Sequence, residues 1–279
     1  MINKKIVMKN AVMLSAAEKK ELRLQKLYMI LPILSLTLLF LFWYFSARGD
    51  GIADFPSPLA VWNRFLLIME RPIRGLTIFG HVLESLRRIF ITLVIAWITG
   101  ISFGILTGWN RKANSLLTPL FTAFRSVPPL AWVPLIAIWF GIGEGSQMLI
   151  VYIGCIASIV VNTHAGMKNV SKIYLDVGTV FRANPRQMLF KIAIPSALDA
   201  IFAGVRTSTS AAWMVVLAAE MLGGRSGVGF LIVRGMDSMD LPLVLMSMIF
   251  IGFVGAMLAI LTQIVEGVLC PWKRAKKSV

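Results

Sequence analysis

Two cysteines and two histidines in 279 residues leave little from which to build a metal or redox centre. Cys155 and Cys270 lie in or beside apolar stretches without ligand spacing, so they read as small packing residues. His81 and His164 have no carboxylate or cysteine paired with them at ligand spacing, and neither a nucleophile elbow nor an ATP-binding motif occurs. These absences argue against an enzyme: no catalytic residue, metal ligand or resident cofactor is expected, and any energy the protein uses has to come from another chain. Charge is also scarce, at 15% of residues, with 13 Asp and Glu against 28 Lys and Arg for a net charge of +15. A basic balance can mark a nucleic-acid binder. Here the cations gather at the chain ends and in polar loops, the pattern of a membrane protein with its positive side inside, so a lipid bilayer and not a nucleic acid is the expected partner.

What the chain has in abundance is apolar length. It is 57% hydrophobic with a mean hydropathy of +0.79, more than a soluble domain of this size would carry. The expected fold is all-α: a polytopic membrane protein with six transmembrane helices. A cytoplasmic leader covers residues 1–28, a transmembrane domain 29–270 and a cytoplasmic tail 271–279. The spans are predicted at Met29 to Ala47, Leu86 to Trp109, Leu116 to Phe140, Gln147 to Met167, Ala200 to Leu222 and Leu241 to Val268. Both termini fall inside, and the first span reads as an uncleaved anchor because its long leader is charged at Glu18 and Glu21. Arg87 and Arg88 count with the outside segments, and the region from Asp50 to Gly80 reads as an outside loop with one interfacial helix.

Small residues recur at four-residue spacing in two spans: Ala96, Gly100, Gly104 and Gly108 in the second, Ala200, Gly204, Ser208 and Ala212 in the fifth. Such stripes let helix backbones approach closely in lipid. The fifth-span stripe is expected to support pairing of two copies. The third span carries Pro119, Pro128, Pro129 and Pro134, so it must be buried in protein or line a wet cavity. Gly223 to Gly229 reads as a glycine-rich outer loop without phosphate-cradle spacing. Arg125 with Ser126, Asn162 with His164, and Arg206 with Ser210 are polar groups in or near the spans, candidates for a solute pathway as well as for interhelical bonding.

One polar interruption separates the fourth and fifth spans: Ser171 to Asp199, SKIYLDVGTVFRANPRQMLFKIAIPSALD. Tyr174, Val177 and Phe181 share a helical face, and Met188, Leu189 and Ile192 form another. Asn184 and Pro185 suit the N-cap and first turn of a second short helix, which Pro195 is expected to end.

The arrangement Asp176, Val177, Gly178, then Arg182, then Ile192-Ala193-Ile194-Pro195 resembles the cytoplasmic loop of ABC importer permeases, with Arg182 standing where that pattern has glycine and Val177 at its first small position. FRSVPPLAWVPLIAIWFGIGE (Phe124 to Glu144) and AAEMLGGRSGVG (Ala218 to Gly229) are similar to the taurine, aliphatic sulfonate and nitrate branch, most like its taurine members. The resemblance implies the type I importer permease fold in a bacterial inner membrane. It also implies a non-catalytic subunit passing a small anion such as taurine or another sulfonate, or alternatively nitrate. The implied partners are a second permease copy, two cytoplasmic ATPase subunits that use ATP and Mg2+, and an extracytoplasmic solute-binding protein. Tyr174, Asp176, Val177, Gly178, Phe181, Arg182, Ile192 and Pro195 would form the coupling surface for the ATPase. A stand-alone secondary transporter is the other class; it would be expected to show inverted repeats and would not need the polar hairpin.

Overall fold

The computed structural model describes residues 16–47 and 55–269, so the expectations for residues 1–15, Cys270 and the tail lie outside the described residues. The chain divides into two compact units between Ala60 and Val61. In the first, α1 (Ala16–Ser46) contains the apolar helical stretch Ile30–Ser46. Ser35 and Thr37 return their hydroxyl protons to carbonyls of their own helix, at 2.8 and 2.9 Å, which satisfies both donors in an apolar surround. Trp43 donates from its indole nitrogen to the carbonyl of Pro56.

Among the described residues the regular structure of the second unit is helical, apart from a single bridge between Ile73 and Leu76. α2 (Pro58–Glu70) ends just before it, and α3 (Ile78–Trp109), α4 (Arg111–Ser126), a 3-10 turn (Pro129–Trp132) and α5 (Val133–Phe140) follow. Then come α6 (Glu144–Lys168), α7 (Lys172–Val180), α8 (Pro185–Met221), α9 (Val228–Asp237) and α10 (Leu241–Leu269). Among the described residues, α3, α6, α8 and α10 are long and apolar enough to cross a membrane. Where six spans were expected, the bent pair α4 and α5 supplies a fifth if the two count as one, and α1 contributes a shorter apolar helix.

Two expectations change in detail. The third span is not one rod: α4 and the segment Pro129–Phe140 meet at 85°. Val127 and Pro128 each precede a proline and are extended, with ψ of 120° and 139°, because the following ring disfavours a helical backbone there. Pro195 does not end a helix either, since α8 passes through it. The turn before it is widened into a π segment, Met188–Ala193, in which Ile194 N–H bonds back to Leu189. A wide turn of this kind accommodates a proline that has no N–H to give.

The core is built by α6 lying between α3 and α8. On one side the glycines of α3 meet it: a Cβ on Gly104 would stand 2.6 Å from that of Thr163, and one on Gly108 2.5 Å from that of Met167. Gly100 faces Ile159 in the same row. On the other side, a Cβ on Gly204 of α8 would stand 2.9 Å from Ile159 and 3.0 Å from Asn162. Ser208, also fully buried, accepts the indole N–H of Trp97 at 3.0 Å and so links α8 to α3. The fifth-span stripe is therefore covered by α6 and α3 of the same chain and is not free for a second copy. Overfilling a tight core costs about 1–3 kcal/mol. We expect Gly204→Leu to lower the melting temperature of the purified chain at every protein concentration, whereas a concentration-dependent loss would indicate a contact between copies.

Candidate functional site

The polar interruption folds as a helical hairpin. α7 ends in a Schellman turn: Phe181 is the C-cap, Arg182 N–H bonds to Thr179 at 2.9 Å and Ala183 N–H to Gly178 at 2.9 Å. That turn needs a left-handed residue just past the cap, and Arg182 takes it, with φ 50°. The position at which the loop pattern has glycine is thus the one where the backbone asks for glycine. Across the turn Asn184 caps α8 with a complete capping box, receiving the N–H of Gln187 at 2.8 Å and donating its own N–H to the Gln187 side chain at 2.9 Å. Gly178 is the one buried residue of α7; a Cβ there would stand 2.5 Å from Ile192 and 2.8 Å from the Met188 sulfur. This close approach pins α7 against the π segment.

With Gly178 turned inward, the apolar side chains of α7 turn outward. Tyr174 is 56% exposed, Val177 49% and Phe181 81%. Ile173 (70%), Val180 (79%) and Phe190 (65%) join them; they escape a reading by one helical face, but a run of apolar residues inside a polar interruption was signal enough. Asp176 and Pro195 are exposed on the hairpin, and Ile192 is half-buried beneath Gly178. At the hairpin's base Met167, Ala193, Ala197 and Ile201 form a small buried cluster.

The remaining candidates are scattered. Arg125 lies exposed in the last turn of α4, and Ser126 returns its proton to Thr122 at 2.8 Å. Asn162 donates to the Ser158 carbonyl at 2.8 Å and meets Thr207 at 3.5 Å, while His164 lies 3.1 Å from the Thr107 hydroxyl. Arg206 pairs with Glu266 of α10 at 2.9 Å, and Ser210 bonds its own helix. Apart from neighbours in sequence, these residues do not converge on one another. Asn162, His164 and Arg206 serve as interhelical ties.

A polar cluster that sequence reasoning missed sits where α3, α8 and the start of α9 meet. Arg88, counted above with the outside loops, is 3% exposed and pairs with the fully buried Glu220. Glu220 also accepts from Ser85 at 2.8 Å and from the Gly229 N–H at 3.0 Å. Ser85 accepts the N–H of Val228, and His81 accepts that of Gly227 while its other ring nitrogen faces the Ile73 carbonyl. His81 is thereby held as the tautomer protonated on Nε2. The glycine-rich segment is a clamped helix start, its φ of 107° at Gly227 open only to glycine.

Residues 100–275 match the family model described as binding-protein-dependent transport system inner membrane component. The chain is 30% identical over 249 residues to the nitrate import permease protein NrtB of Synechocystis sp., covering 87% of this chain and 90% of that one. It is 30% identical over 245 residues to the taurine transport system permease protein TauC of Escherichia coli, covering 87% and 89%. It is 31% identical over 237 residues to the bicarbonate transport system permease protein CmpB of Synechococcus elongatus, covering 82% and 85%. Its fold is similar to a solved chain of the MetNI methionine ABC transporter in inward-facing form, with a TM-score of 0.60 at 16% identity, over 76% of this chain and 99% of that one.

Two outcomes follow from the geometry. Arg182→Gly removes a left-handed strain of about 1 kcal/mol, so hydrogen exchange at the Ala183 amide should slow by about fivefold; faster exchange would mean that the Arg182 side chain itself holds the turn. Removing one partner of a buried ion pair costs about 3 kcal/mol or more. Arg88→Met should therefore lower the melting temperature sharply, and adding Glu220→Gln to it should restore part of the loss.

Proposed function

This chain belongs to the binding-protein-dependent transport system inner membrane component family, and from that premise we propose that it forms the membrane pathway of an ATP-driven importer of a small anion. Taurine or another sulfonate is the proposed cargo, with nitrate and bicarbonate as the competing members of the class, because relatives named for taurine, nitrate and bicarbonate match at nearly equal identity. The observation that carries the reading is the hairpin: a rigid, doubly capped pair of helices that turns Tyr174, Val177, Val180 and Phe181 outward. An amphipathic helix with exposed apolar anchors is the form that seats in a groove on a partner. The partner proposed is a cytoplasmic ATPase subunit, one for each of two permease copies, supplying ATP and Mg2+. Asp176 and Arg182, both charged and exposed, would orient the seat at its rim.

The orientation that suits this is both termini on the cytoplasmic side, the same side as the hairpin, which the Lys and Arg distribution supports. A solute-binding protein would then approach from the opposite side. Of the pathway candidates Arg125 keeps its standing, since it has no ion-pair or hydrogen-bond partner among the described residues. Arg206 loses much of its pull on a solute to Glu266.

Co-purification with the ATPase tests the docking. Each of Val177→Asp and Phe181→Ala should weaken it by about 2 kcal/mol, the scale of an interface hot spot, while leaving the melting temperature of the chain unchanged because neither side chain is buried. Full retention of the ATPase and of cargo-stimulated ATP hydrolysis in both variants would remove the hairpin from coupling. Uptake of labelled taurine, nitrate and bicarbonate into vesicles holding the complex identifies the cargo.

A further inference from the structure

An open cavity of about 730 Å³ lies at the end of α8 away from the hairpin, between the turn that precedes α3, one face of α9 and the start of α10. Its size is that of a small-molecule site, and none of its lining residues belongs to the proline-bearing segments α4 and α5. α9 turns one stripe toward it: Phe230, Val233, Arg234 and Asp237, at i, i+3, i+4 and i+7, all line the cavity. The other charged residues of the lining are Arg64, Arg74, Glu220 and Asp240.

Some of these charges are already answered. Asp240 holds Arg64 at 2.6 Å, and Glu220 is taken by Arg88, Ser85 and the Gly229 N–H. Arg74, Arg234 and Asp237 are exposed, and their side chains have no ion-pair or hydrogen-bond partner among the described residues. Arg74 is placed all the same. With Gly75 it makes a two-residue turn, at φ 50° and 76°, closed by reciprocal N–H bonds between Ile73 and Leu76 at 3.1 Å. Such a turn favours asparagine, aspartate or glycine at its first position, so an arginine stands there against the local preference. Its guanidinium lies over the Phe230 ring, 5.3 Å from the centroid. The Ile73 carbonyl faces Nε2 of His81, whose ring stacks on the same Phe230 at 5.9 Å. The turn is thereby tied to both α3 and α9. Arg74 sits over Phe230, Arg234 follows one turn on along α9, and Asp237 one turn beyond that.

We propose that this cavity binds a small zwitterion, with an oxyanion head taken between Arg74 and Arg234 and an ammonium group taken by Asp237. Guanidinium groups pair with sulfonate or phosphate oxygens two at a time. Residues one helical turn apart lie about 5–6 Å from each other at Cβ, a separation that a short carbon bridge between the two charges of a ligand spans. Nitrate or bicarbonate would satisfy the arginines and leave Asp237 to repel it, so the unpaired carboxylate is what separates an amino-oxyanion from a bare anion. This chemistry has two sources: a free aminosulfonate such as taurine, and the phosphoethanolamine headgroup of a lipid. As a site for free solute the cavity rests on the transport reading above and narrows its cargo class; as a site for a headgroup it stands without that reading.

The test is equilibrium binding of radiolabelled taurine to the full chain in nanodiscs of phosphatidylglycerol, competed with nitrate and with ethanesulfonate, which has the oxyanion but not the ammonium. Both competitors should act about tenfold more weakly than unlabelled taurine, the scale of one hydrogen bond to a charged group. Asp237→Asn should weaken taurine by a similar factor and leave ethanesulfonate unchanged, whereas Arg234→Gln should weaken both. Neither variant should move the melting temperature, because both side chains are exposed. Replacing half of the lipid with phosphatidylethanolamine separates the sources. Unchanged taurine binding assigns the site to the free zwitterion. Suppressed binding, with phosphatidylethanolamine retained through purification by the wild-type chain and lost from Asp237→Asn, assigns it to the headgroup. Binding of neither ligand, competition by nitrate equal to that by taurine, or equal losses of taurine and ethanesulfonate in Asp237→Asn would overturn the proposal. Because binding requires no ATPase, taurine bound here without ATP-driven uptake by the complex would reject the transport reading and leave the site. Taurine uptake with neither ligand bound at the cavity would reject the site alone.

Discussion

The structure depends first on α6 being held on both sides by backbones that come close. In hydrocarbon there is no water to expel, so helices cohere through dispersion, and dispersion falls steeply with a gap of even half an ångström. Glycine at 100, 104 and 108 and the small residues 204 and 208 remove the side chains that would keep α3 and α8 away from α6. The hydrogen bond from Trp97 to Ser208 then ties the outer two helices to each other. The hairpin joins the C-terminal end of α6 to α8. Its base is therefore fixed by the same packing, where Gly166 lies against Ala200 and Met167 against the cluster of Ala193, Ala197 and Ile201. A force applied at the hairpin tip would reach the core through rigid contacts and not through a slack linker.

What could be read from the residues was whatever local chemistry decides. Four-residue spacing of small side chains, an Asn-Pro helix start and an isolated polar stretch each carry their meaning in a few neighbouring positions. The long-range partners were out of reach. Nothing near Arg88 in the chain points to Glu220, whose pairing with it arises only when α3 and α8 lie side by side, and so a buried cation was counted with the loops. Arg206 and Glu266 pair across the same kind of distance. The prolines set a limit of a different kind. A proline's local cost is legible, but whether a chain answers it by stopping, as at Val127–Pro128, or by widening a turn, as before Pro195, depends on what packs around it.

Pairing also sorts the charges of this chain by role. Arg64 with Asp240, Arg87 with Glu84 and Glu144, Arg88 with Glu220 and Arg206 with Glu266 each have a carboxylate in contact. Such cations are neutralised, and what they contribute is geometry: they fix where helices and loops meet. A cation at membrane depth without a carboxylate cannot be explained in that way, since leaving it bare in hydrocarbon would cost several kcal/mol. It has to face water or an anion that arrives from elsewhere. Arg125, exposed in the last turn of a helix with no acidic residue, has no carboxylate in contact among the described residues. The 85° break that follows it keeps the next apolar segment from continuing the line of α4. The same two prolines thus set where α4 stops, at Ser126, one residue past Arg125.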